Sequence, residues 1–141
     1  MPLYSSGSRR PGRPSRAFRL AYEETLLAAN NYAVSLLKVK RFEEARSLLR
    51  KTMPVTRRVL GDSDYLTLGM RAIYAQTLYK DDGATLEDLR EALATLEDTE
   101  PIARRVMGGA HPLTMQIEQS LQAARAALCA RDSGRETPPG K

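Results

Sequence analysis

Apolar positions recur every three to four residues from about Leu20 to Ala130 and never alternate strictly over the length of a strand. Leu26, Ala29, Ala33, Leu36 and Leu37 share one side of a first helix over about 20–38. Phe42, Ala45, Leu49, Val55 and Val59 do the same for a second over about 42–60. Gly61 stops that helix, and Asp62, Ser63 and Asp64 offer caps for a third over about 65–79. Asp81-Asp82-Gly83 turns the chain, and Thr85 with Asp88 makes a capping box that opens a fourth helix. After Gly108-Gly109, His111-Pro112 begins a fifth, running to about Ala130 with Leu113, Ile117, Leu121, Ala124 and Leu128 as its stripe. The pattern predicts an all-α fold.

The helices also repeat. Arg57-Arg58-Val59-Leu60-Gly61 returns 47 residues later as Arg104-Arg105-Val106-Met107-Gly108, with Pro54/Pro101 and Ala45/Ala92 in step. Upstream the offset is 42, pairing Tyr32-Ala33 with Tyr74-Ala75, Leu36 with Leu78 and Lys38 with Lys80. Five extra residues between Lys80 and Ala92 reconcile the two offsets, and an exposed turn tolerates them at little cost. The unit is a helical hairpin, present about two and a half times. Pro54 and Pro101 fall inside the second helices, where a proline costs about 3 kcal/mol, and a kink or a break is expected at each.

These residues resemble a tetratricopeptide repeat of the kinesin light chain type. Asn30-Asn31-Tyr32-Ala33 stands where that type has an Asn-Asn-Leu-Ala helix, Phe42-Glu43-Glu44-Ala45 follows with the right spacing, and Val59-Leu60-Gly61 and His111-Pro112 complete the motif. Asn-Asn becomes Ala72-Ile73 in the second copy and Gln119-Ser120 in the third, and Gln122 replaces the small alanine. The resemblance implies hairpins stacked in a right-handed superhelix, with first helices lining a concave groove that takes a peptide or a partner helix. By helical spacing the groove residues are Asn30, Val34, Leu37 and Lys38, then Ala72, Gln76, Tyr79 and Lys80, then Gln116 and Gln119; the resemblance adds Asn31, which helical spacing puts nearer the next repeat. An Asn amide both donates and accepts, so it can hold a peptide unit, and Lys38 and Lys80 suit acidic residues or a terminal carboxylate.

Charge alters this picture little. The net charge of the chain is +5, but the first 20 residues carry five arginines and no acid, so the remainder balances to zero. A nucleic-acid-binding body would carry its own basic excess. Residues 1–19 are expected to be a disordered basic tail, residues 20–130 the repeat domain, and residues 131–141 a second disordered tail rich in Pro and Gly. Within the first tail, Arg10, Gly12, Arg13 and Pro14 resemble an AT-hook, which suggests an alternative function as a DNA-associated protein tethered through its tail. An organelle transit peptide and a plain linker are the other readings of this segment.

The chemistry points to binding. One histidine (His111) and one cysteine (Cys129) leave no recognisable catalytic constellation, metal site or disulfide framework, and no cofactor is expected. No apolar run reaches the roughly 18 residues of a membrane span. There is no heptad segment for joining a motor heavy chain. The expectation is a non-catalytic, cytoplasmic adaptor or scaffold for a protein or peptide partner. Phe18, Leu20, Tyr22, Leu26 and Leu27 have no earlier repeat to cover them and are expected to leave an apolar surface that serves self-association.

Overall fold

The computed structural model describes residues 14–136, in which five helices and no strands are found. They are α1 (Arg16–Lys38), α2 (Phe42–Leu60), α3 (Tyr65–Tyr79), α4 (Leu86–Met107) and α5 (Pro112–Glu136). Helix α1 begins four residues before the expected start at Leu20. Ser15 explains this: its side chain accepts from the Phe18 N–H at 3.1 Å, an N-cap that follows Pro14. Helix α5 likewise runs past Ala130 to Glu136, so residues 16–19 and 131–136, expected in the tails, are helical.

Helices α1 and α2 form one antiparallel hairpin, α3 and α4 the next, and α5 packs on both α3 and α4 as the first helix of a third unit. Helix α3 touches all four others, while α1 and α5 do not meet. Eleven of the fifteen α3 residues are buried for that reason. Small residues allow the close approach: Ala33 and Ala45 in the first hairpin, Ala75 and Ala92 in the second, all fully buried. Gln122, at the third copy of the Ala33 position, is exposed, because no described helix packs there.

The repeat shows in the connections as well as in the core. Gly61 and Gly108 both adopt positive φ (92° and 91°) and both return their N–H to an arginine carbonyl, Arg57 and Arg104. That left-handed conformation is one a side chain would strain. The five inserted residues lengthen the turn after α3 and extend the start of α4, where Thr85 and Asp88 form the expected capping box.

Neither proline breaks its helix. Both α2 and α4 run straight through, with Pro54 and Pro101 on their exposed outer sides. The carbonyls that lose a donor belong to Arg50 and Glu97, both exposed residues, so the loss falls on the solvent side of each helix. Thr52 and Thr99, two residues before each proline, turn their hydroxyls back on the Leu48 and Thr95 carbonyls at 2.9 and 2.6 Å. Such back-bonding favours a bend over a break.

Candidate functional site

The first helices α1, α3 and α5 line one side of the stack, and two confluent depressions run along it. The first, about 540 Å³, lies between Glu23, Leu27, Asn30, Asn31 and Val34 of α1, Tyr65, Leu66, Gly69 and Ile73 of α3, and Leu113 and Gln116 of α5. The second, about 730 Å³, continues past Val34, Ile73 and Gln116 to Leu37, Lys38, Lys40, Phe42, Gln76, Tyr79 and Lys80. The three shared residues make the two a single groove.

Nine of the eleven expected groove residues line these depressions: Asn30, Asn31, Val34, Leu37, Lys38, Gln76, Tyr79, Lys80 and Gln116. Gln119 is exposed on α5 but lines neither depression, and Ala72 is fully buried beneath the surface. Gln76 is not a free polar edge. It is buried, and its Nε2 donates to Ser120 Oγ at 3.3 Å, tying α3 to α5. Tyr79 shares a hydrogen bond with the same serine, and burial pushes its phenol above the ordinary value. Asn30 differs from both: its Oδ1 is buried and has no hydrogen-bond partner among the described residues. A buried acceptor left unpaired costs about 1–3 kcal/mol.

The groove also has residues that the periodicity did not single out, Leu27 and Gly69 among them. Leu27, Gly69 and Gln116 occupy one repeat position, connected by the same offsets of 42 and 47, and line the same depression. Gly69 sits inside a helix at a cost of about 1 kcal/mol relative to alanine. A Cβ added there would meet nothing within 4 Å, so packing does not explain the glycine. Lys40 follows α1 in the left-handed conformation (φ 64°), with its own N–H on Leu37 O and the Arg41 N–H on Leu36 O, a helix end that usually takes glycine. Among the described residues Lys38, Lys40 and Lys80 have no ion-pair partner, whereas Glu23 and Asp64 stand at the other end. The groove is thus basic at one end, acidic at the other and apolar between.

Other singled-out residues have structural partners. His111 Nδ1 accepts from the Leu113 N–H at 3.0 Å, and the ring meets Tyr65 edge-on. Arg57 pairs with Asp62 at 2.8 Å, and Arg104 binds Glu100 and Glu118 at 2.7 and 2.9 Å, the latter joining α4 to α5. Cys129 is exposed and unpaired with another cysteine. Among the described residues no group of His, Cys, Asp or Glu is arranged to hold a metal. No described helix is long and apolar enough to cross a membrane.

At the start of α1, Phe18, Leu20 and Tyr22 are exposed, with Phe18 against Tyr22 at 4.7 Å between ring centroids. Leu26, which lies on the inward stripe of α1, is buried, and Leu27 belongs to the groove, so only part of the expected apolar surface is left at this end. Tyr32 and its repeat partner Tyr74 show what α1 lacks. Tyr74 is 5% exposed, donating to Glu91 Oε2 at 2.6 Å and accepting from Arg50 Nε at 3.2 Å between α2 and α4; Tyr32, which no described helix covers, is 59% exposed. Of the AT-hook-like residues, Arg10, Gly12 and Arg13 lie outside the described residues, and Pro14 immediately precedes the Ser15 cap.

Comparison with known proteins bears on the hairpins. Residues 25–64 match the tetratricopeptide repeat family, a segment that begins in α1, takes in α2 and ends at the cap of α3. No curated protein and no solved structure matches the chain. Repeats of this family are protein–protein interaction modules. Residues 25–64 are thus similar to a tetratricopeptide repeat of a kind found in kinesin light chain-like proteins, and the second hairpin in α3 and α4, with the further first helix α5, fits repeats of that type.

Proposed function

We propose that the groove across α1, α3 and α5 holds an extended peptide segment of a protein partner, and that the chain works as a non-catalytic adaptor or scaffold. The observation that carries this is the buried, unpartnered Oδ1 of Asn30 in the groove wall. A peptide N–H satisfies it, and the neighbouring Asn31 amide, exposed on the same helix, can take the adjoining peptide unit. Lys38, Lys40 and Lys80 then meet acidic side chains or a terminal carboxylate at the far end, which fixes the direction of the bound segment.

The test is selection of a displayed peptide library on the full chain. Selected peptides should bind Asn30→Ala and Lys38→Ala about tenfold more weakly, the loss of one hydrogen bond to a charged or desolvated group. Neither variant should unfold at a lower urea midpoint than the parent, and Asn30→Ala, which removes an unpaired buried acceptor, should if anything unfold at a higher one. Peptides indifferent to both substitutions would place binding elsewhere and sink the proposal.

A further inference from the structure

We infer that Gly69 is a specificity-determining residue: the absence of a side chain there opens a notch in the groove floor that receives one large apolar side chain of the bound segment. This rests on the groove being the peptide site. The position is shared by Leu27, Gly69 and Gln116 on three successive first helices, so the middle helix is recessed while its neighbours form two walls. Ile73, one turn along α3, and Leu113 of α5 add apolar lining. The space is real on the protein side, since a Cβ built on Gly69 would have no heavy atom within 4 Å. Intrinsic helix propensity favours alanine at such a site, and no helix approaches closely enough to demand glycine.

A charged or small residue would gain little in this notch. Leu27, Ile73 and Leu113 supply the apolar part of the lining, and burial of apolar area against them is what the notch rewards. The Asn30 Oδ1 beside it lacks a partner and is positioned to accept from the backbone N–H of the segment that delivers the anchoring side chain. Aliphatic and aromatic anchors both satisfy this chemistry.

The probes are N-acetyl-phenylalaninamide and N-acetyl-leucinamide, with N-acetyl-alaninamide as the small control, titrated into the isotope-labelled full chain by NMR. The two large probes should shift the Gly69 amide and the Asn30 side-chain NH₂, with affinity about tenfold above that of the alanine probe, as apolar burial requires. Gly69→Ala should weaken them, and Gly69→Leu should abolish the shifts, while both variants melt at or above the parent temperature. That opposite movement of stability and binding is what a merely tolerated glycine would not produce. Absence of binding, shifts away from Gly69, or unchanged affinity in both variants would overturn the inference. Library-selected peptides that need Asn30 but bind Gly69→Ala and Gly69→Leu normally would overturn it alone and leave the groove standing. Peptides indifferent to Asn30→Ala and Lys38→Ala would remove the groove itself.

Discussion

Asp64 and His111 stand 47 residues apart and perform the same task with different chemistry. Asp64 Oδ2 accepts from the Leu66 N–H at 2.9 Å, and His111 Nδ1 accepts from the Leu113 N–H at 3.0 Å, each opening a first helix. Either cap satisfies one of the orphan donors at a helix start. Replacement of Asp64 or His111 by Ala should cost about 1 kcal/mol in urea unfolding. His111→Asp should recover most of that loss, because a carboxylate caps as well and complements the helix dipole. Equal losses for His111→Ala and His111→Asp would show that the edge-on contact with Tyr65 matters more than the cap.

Arg46 is buried in α2, donating from Nη1 to the Thr77 carbonyl at 2.9 Å and from Nη2 toward Glu43 and Asp81 at 3.2 and 3.4 Å. It ties the first hairpin to the end of α3. Arg46→Met should therefore cost about 3 kcal/mol, leaving a buried carbonyl and a carboxylate unpaired. Arg41→Ala, which breaks the exposed pair with Glu44 at 2.8 Å, should cost less than about 1 kcal/mol. Similar urea midpoints for the two variants would refute this ranking.

Stability should fall at alkaline pH. Burial is the main cause that raises the Tyr74 and Tyr79 phenols above the ordinary 10.0; Glu91 adds to it at Tyr74, and the Ser120 hydrogen bond opposes it at Tyr79. The folded chain thus holds these protons more tightly than the unfolded one. Their contribution is complete below about pH 10 and is lost as pH rises through the raised folded values. Urea unfolding across this range should show the decline, with a shallower slope in Tyr79→Phe. The same slope in that variant would exclude Tyr79 as a source.

Helix α5 covers α3 and α4 with Leu113, Ile117, Leu121 and Ala124, all buried. Ile117→Ala should cost about 3 kcal/mol, while Met115→Ala, on the exposed side of the same helix, should cost less than about 0.5 kcal/mol. Ending the chain after Leu113 should abolish cooperative unfolding, which circular dichroism during a thermal ramp would reveal. A sharp transition in the shortened chain would mean that the two hairpins stand without α5.

The sequence by itself determined the helices, their order and their repetition. Those features are local: an apolar stripe needs only a period near 3.6, Thr85 with Asp88 caps its own helix, and Gly61 and Gly108 meet the left-handed end of theirs. The same logic placed Asn30, Val34, Lys38 and Lys80 on a common face. What only the tertiary structure decided depends on distances between helices. Gln76 and Asn30 look alike in the sequence as polar groove residues, yet Ser120 lies within reach of the first and nothing satisfies the second. Gly69 reads as a weak point in a helix until the empty space above it is seen. Arg46 reads as another surface charge until the Thr77 carbonyl is placed beside it. Period and capping are properties of neighbours in the chain, whereas satisfaction of a buried polar group and the room left beside a glycine are set by residues far away in sequence, and packing alone brings them together.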